Sequence, residues 1–153
     1  MSALQQLRTM TTIVADTGDL AAIERLKPID ATTNPSLITK ALIHPDNEAV
    51  LSETMSRHRD DIDAVIDELT IQIGCNILSL IEGRVSTEVD ARLSYDTQAT
   101  IDKALAFMEA YQKAGIDSER VLIKMAATWQ GIEAARYLET QGIHCNLTLL
   151  FGQ

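Results

Sequence analysis

Lys124 lies inside the apolar run Val121-Leu122-Ile123-Lys124-Met125-Ala126-Ala127. The run is too short to span a membrane and is rich in strand-favouring residues, so it predicts a buried β-strand. Burial strips an ammonium of hydration and disfavours its charged form, lowering its pKa. A lysine tuned in this way is a free amine near neutral pH and can attack a carbonyl carbon to form a Schiff base. Taken alone, the run is equally compatible with a strand-edge lysine whose stem lies along apolar surface while its head reaches water. Other polar residues tip the balance. Making or breaking a carbon–carbon bond through an iminium requires proton transfer at neighbouring oxygens, and Asp16 and Glu88 are candidate acid/base groups, acting directly or through a water. Thr32, Asn34, Asn146 and Thr148 are candidates for holding hydroxyls and that water. Each has a plainer explanation on its own: Asp16 before Thr17-Gly18 reads as turn chemistry, and Asn34 before Pro35 reads equally as a helix N-cap. Their joint placement at five strand ends argues for a site.

The elements that must position these residues alternate along the chain. Strands are predicted over Thr11–Ala15, Ile29–Thr33, Arg84–Val89, Arg120–Ala126 and Ile143–Leu150. Short helices are predicted over Gly18–Leu26 and Pro35–Ile43, the second with a proline suited to a first turn. Pro45–Ile81 predicts one or two longer helices interrupted near Thr70–Gly74. A helix starting at Asp96 or Thr97 should bury Ile101, Ala104, Leu105, Met108 and Tyr111 and stop at Gly115. Another, capped by Thr128, should bury Ile132, Ala135 and Leu138 and end at Gly142. Such alternation implies a parallel sheet with crossover helices, either doubly wound or barrel-like.

Side-chain parity separates the two. Neighbouring strand residues face opposite sides. Val85, Thr87 and Val89 oppose Arg84, Ser86, Glu88 and Asp90; Val121, Ile123 and Met125 oppose Leu122, Lys124 and Ala126; Cys145, Leu147 and Leu149 oppose His144, Asn146 and Thr148. A sheet covered on both faces needs near-continuous apolar strands. One greasy side and one polar side, with polarity concentrated at C-terminal strand ends, fits a (β/α) barrel and its active-site mouth. The fold class expected is therefore α/β of the TIM-barrel type.

Composition bounds the rest. The 153 residues are 46% hydrophobic and 23% charged, as in a globular domain, and no apolar stretch approaches membrane-spanning length. The start, MSALQQLRTM, lacks the apolar segment of a signal peptide. A net charge of −9 disfavours nucleic acid and anionic membrane as partners. Cys75 and Cys145 share no metal-ligand spacing and read as buried thiols of a reducing compartment, so a cytoplasmic protein is expected. His44, His58 and His144 do not cluster at metal spacing, and His44 beside Pro45 reads as a loop residue. The run Arg57–Asp63 reads as a solvated helix face, Trp129 as core packing near a helix start, and Met55, Met108 and Met125 as packing fillers. No linker, low-complexity segment or close repeat divides the chain, so residues 1–153 are read as one domain.

The segments VADTGD (Val14–Asp19), DATTNPSLI (Asp30–Ile38), STEVDARLSYD (Ser86–Asp96), LIKMAATWQGI (Leu122–Ile132) and GIHCNLTLLF (Gly142–Phe151) closely resemble transaldolase of the long bacterial and eukaryotic type. The resemblance runs in order, from about the tenth residue to Phe151. It implies an eight-stranded (β/α) barrel that uses no metal or cofactor. The implied reaction moves a three-carbon dihydroxyacetone unit from a ketose phosphate, sedoheptulose 7-phosphate or fructose 6-phosphate, to an aldose phosphate in the pentose phosphate pathway. By motif, the Schiff-base lysine would be Lys124 and the proton-transfer carboxylates Asp16 and Glu88. Thr148 would position the catalytic water with Glu88, while Asn34 and Asn146, with Thr32 beside them, would bind donor hydroxyls.

The family barrel continues through three more strands after NLTLLF, whereas this sequence stops at Gln153. The expectation is thus a C-terminally truncated domain with about five of eight strands, lacking the family's phosphate-binding serine and arginines; Arg84, Arg92, Arg120 and Arg136 belong to other segments. An uncovered fifth strand is expected to drive self-association into a homo-oligomer. Two further readings stay open: an inactive fragment or half-barrel interaction module, and a Schiff-base aldolase without transfer.

Overall fold

The computed structural model describes residues 2–43, 47–59 and 61–152; His44 and Pro45 lie outside the described residues. Five strands, β1 (Val14–Asp16), β2 (Asp30–Thr32), β3 (Val85–Glu88), β4 (Val121–Ala126) and β5 (Cys145–Thr148), form one sheet in the order β1-β2-β3-β4-β5. Every pairing is parallel. The sheet curls into an open barrel arc with its helices outside. The helices are α1 (Ala3–Arg8), α2 (Leu20–Leu26), α3 (Pro35–Leu42), α4 (Glu48–His58), α5 (Ile62–Leu78), α6 (Thr97–Lys113) and α7 (Trp129–Thr140). Among the described residues, none is long and apolar enough to cross a membrane.

Strand parity works as expected on β4, where Val121, Ile123 and Met125 are buried and Leu122, Lys124 and Ala126 are not fully covered. The apolar convex side packs on α5, α6 and α7 through Ile73, Ile77, Ala104, Phe107, Tyr111 and Leu138. The concave side carries the polar residues. Register sets them in steps: Asp16 lies opposite Thr32 and Thr32 opposite Ser86, then Glu88 opposite Lys124 and Lys124 opposite Asn146, and finally Ala126 opposite Thr148. The polar level therefore climbs across the arc, the stagger that closing a sheet into a barrel requires.

Two side-chain hydrogen bonds measure the curl. Asn146 on β5 donates from Nδ2 to Ser86 Oγ on β3 at 3.0 Å, across β4, and Lys124 on β4 donates from Nζ to the Thr33 carbonyl after β2 at 3.2 Å, across β3. Strands two apart in a flat sheet are separated by roughly 9–10 Å, before any offset along the strands. Concavity brings these groups within reach.

Several expectations need correction. The helix through Thr70–Gly74 is unbroken. The break falls between α4 and α5, where Arg59 has a φ of 48° and the Asp61 carboxylate accepts from Ala64 N at 3.0 Å to start α5. Gly74 is required mid-helix because a Cβ there would stand 1.9 Å from the Tyr111 hydroxyl, and α5 continues through it. The described residues of the run Arg57–Asp63 are mostly exposed, as expected, but they are the end of α4 and the start of α5 and not one helix face, with Arg57 and His58 both directed at Glu68 of α5. β1 begins later than expected and includes Asp16; β5 is shorter, and Leu149 leaves it with a φ of 65°. On α6, Phe107 is buried and Leu105 is exposed, and on α7 Ala134 is buried while Ile132 is only half-buried. Met55 is exposed and fills no packing gap, whereas Met125 does. Trp129 is 72% exposed, not core: α7 buries a stripe through Gly131, Ala134, Ala135 and Leu138, and its first residue lies off that stripe. Helix α1 was not anticipated. Its start is a capping box between Ser2 and Gln5, and Arg8 ties its end to the carbonyls of Leu26 and Lys27.

Both cysteines are free and half-buried. Burial, helped by the nearby Glu139 carboxylate, pushes the Cys145 thiol up to about 12. A thiol raised so far above the ordinary value near 8.5 holds about 10³-fold less reactive thiolate at pH 8. Native Cys145 should therefore alkylate with iodoacetamide at least a hundredfold more slowly than the unfolded chain's cysteines, read by peptide mass spectrometry. Equal rates would show that the strand does not shield it.

Candidate active site

Lys124 is delivered by the centre of β4, whose alternate residues anchor it in the core behind the sheet. Its Nζ lies 3.2 Å from Glu88 Oε2, and the two side chains are only 12% and 16% exposed. Glu88 is placed by register, directly opposite Lys124. The lysine is largely shielded, as the apolar run implied, and it is not alone. It sits in a shielded pair with a carboxylate and donates also to the Thr33 carbonyl. Thr33 is held in turn, since its backbone N and its Oγ1 both donate to the Ser86 carbonyl, at 2.9 and 3.0 Å.

Asn146 occupies the same level as Lys124 on the next strand, with its Nδ2 committed to Ser86. Thr148 follows one step higher on that face, half-buried, and its carbonyl accepts from Ala127 N at 2.8 Å. Thr32 and Asn146 line a hollow of about 330 Å³ on the concave side, together with Ser86 and Leu122. Asn34 does act as a helix cap: its Oδ1 accepts from Leu37 N at 3.0 Å. Capping engages the carbonyl oxygen and leaves the amide NH₂ as the group Asn34 can offer a ligand. Asn34, Thr33 and Glu88 also wall a larger cavity of about 470 Å³, floored by Ile38 and Phe107. Asp16 is exposed at the end of β1, level with Thr32 and one step below Lys124. The structure brings Glu88 to the lysine and leaves Asp16 apart from it.

Sequence reasoning passed over Thr33 and Ser86 as site residues. Ser86 was legible in principle, because parity set it on the polar face with Glu88. Thr33 acts through a backbone carbonyl, which no side-chain pattern reveals.

A parallel arc of β/α units with a shielded lysine–carboxylate pair at its strand ends defines a (β/α)-barrel-type protein with a lysine-centred site. The family model described as Transaldolase/Fructose-6-phosphate aldolase matches residues 13–153, and the chain belongs to that family. Among similar proteins, the Transaldolase of Methylococcus capsulatus is 55% identical, with 97% of this chain and 48% of that protein covered. The Transaldolase of Acidobacterium capsulatum is 56% identical over 99% of this chain and 48% of its own length. That of Thermosynechococcus vestitus is 52% identical over 99% of this chain and 41% of its own length. The chain spans about half the length of the curated relatives it matches.

Proposed function

We propose that residues 1–153 carry the Schiff-base half of a transaldolase site, in which Lys124 takes up a dihydroxyacetone unit from a ketose phosphate. The observation that carries this reading is the 3.2 Å contact between Lys124 Nζ and Glu88 Oε2 in a largely shielded position. An amine must surrender a proton before it attacks, and a carboxylate at hydrogen-bond distance can accept it. Attack on the donor's carbonyl carbon forms a C–N bond, and loss of water gives the iminium. Cleavage of the carbon–carbon bond one carbon removed then sends its electron pair into the iminium, and the departing hydroxyl proton passes to a carboxylate. Glu88, beside the nitrogen, suits the proton transfers there, in concert with a water held by Thr148. Asp16, set apart from the nitrogen, suits the hydroxyl on the departing fragment. Asn34 and Asn146 bind donor hydroxyls, with Thr32 beside them. No metal or cofactor enters this scheme. The acceptor is an aldose phosphate, the setting the pentose phosphate pathway of the cytoplasm, and exposed Leu149, Leu150 and Phe151 favour self-association.

The test is incubation with fructose 6-phosphate and borohydride, which reduces the iminium to a stable amine. Intact-mass analysis should show one added three-carbon unit, peptide mapping should place it on Lys124, and Lys124→Met should abolish it. Labelling spread over surface lysines would defeat the reading. Release of glyceraldehyde 3-phosphate without transfer to erythrose 4-phosphate would favour an aldolase, the other activity in the family's description.

A further inference from the structure

Beneath Lys124 the concave face carries a hydrogen bond that the scheme above leaves unused. Asn146 Nδ2 donates to Ser86 Oγ at 3.0 Å, joining residues 60 apart in sequence and passing over β4 between the levels of Leu122 and Lys124. Ser86 is only 4% exposed, and Thr33 is anchored to its backbone carbonyl, so its hydroxyl has a fixed origin. An asparagine amide has two faces, an acceptor oxygen and a donor NH₂. With the NH₂ committed to Ser86, the oxygen is the end left for a ligand, on the residue level with Lys124.

We propose that Ser86 is a positioning residue: its hydroxyl holds the Asn146 amide in place beside Lys124, leaving Oδ1 as the acceptor for a hydroxyl of the three-carbon donor. Without this strut the amide can swing away from its place beside the lysine, and a polyol donor loses a preformed partner. Preorganising a binding group lowers the ordering cost of each complex. Ser86 therefore acts on donor affinity more than on the chemistry at the nitrogen. Ser86→Ala isolates this effect, because the backbone carbonyl that holds Thr33, and through it Lys124, is retained.

This inference rests on the Schiff-base reading, and the experiment separates the two. In the ¹⁵N-labelled ligand-free chain, Ser86→Ala should shift the Asn146 side-chain amide resonances and speed their exchange with water. Borohydride trapping should then need about five- to tenfold more fructose 6-phosphate for half-saturation, the loss expected for one buried hydrogen bond, while the limiting trapping rate changes far less. Ser86→Thr, which keeps the hydroxyl, should recover most of the affinity. In an Asn146→Ala background Ser86→Ala should add nothing, since the serine acts only through the asparagine. Unchanged Asn146 resonances, fully additive losses, or a fall confined to the limiting rate would each overturn the role of Ser86. A wild-type chain that traps no donor would defeat the Schiff-base reading itself, and the resonances would still report whether the strut exists.

Discussion

Glu88→Gln is expected to slow borohydride trapping of fructose 6-phosphate on Lys124 by about 10²–10⁴-fold, the usual range for removing a general acid/base group. Glutamine keeps the size of the side chain and can still hydrogen-bond the lysine, so the fold and the placement of Nζ should survive. What it cannot do is accept a proton. The carboxylate sits 3.2 Å from the amine and is largely shielded from solvent, so bulk water is a poor substitute. Trapping should be slowed but not abolished, because Lys124, the nucleophile of the proposed scheme, remains. The measurement is the rate of mass increase under excess donor, with circular dichroism confirming an unchanged fold. A wild-type rate in the glutamine variant would remove Glu88 from the mechanism.

Tyr111→Ala should cost about 3–5 kcal/mol of folding stability, as for other large aromatic truncations in cores. The ring is fully buried between α5, α6 and β3, and Gly74 leaves the space its hydroxyl occupies. That hydroxyl shares a 2.6 Å hydrogen bond with Thr87, itself fully buried. Burial raises the phenol well above its ordinary value, which keeps it neutral at any working pH. Domains are stable by only about 5–15 kcal/mol, so this loss removes a large share of the total and should move the unfolding midpoint clearly. Tyr111→Phe separates packing from hydrogen bonding: it retains the ring, leaves Thr87 without its partner, and should cost about 1–2 kcal/mol. Urea denaturation followed by circular dichroism reads both. Equal losses in the two variants would mean that the hydroxyl, not the ring, carries the energy.

Much of this was written in period and parity. The alternation of strand and helix, the greasy and polar sides of β3 and β4, and the presence of Lys124, Glu88 and Asn146 on one face all follow from residues two apart sharing a side. The family segments carried the site residues to the same positions. What was hidden lay in three dimensions. A glycine at position 74 looks like a helix break until the buried hydroxyl of Tyr111 is placed against it. A tryptophan near a helix start looks like core until the helix stripe is seen to begin two residues later. The tether of Lys124 to the Thr33 carbonyl depends on curvature, and local pattern does not encode how strongly a sheet will bend.

Strand order and sequence order coincide here, and that has a consequence for how the chain assembles as it is made. Each new strand adds to the edge left by its predecessor, so a chain leaving the ribosome always meets a finished template. The slow closure should be the one between β2 and β3, where Thr33 must find Ser86 across 53 residues that include the three helices α3, α4 and α5. Loop entropy is lost there before contacts return it. Once that junction is made, β4 and β5 join by shorter crossovers, and the lysine arrives at a carboxylate already in place.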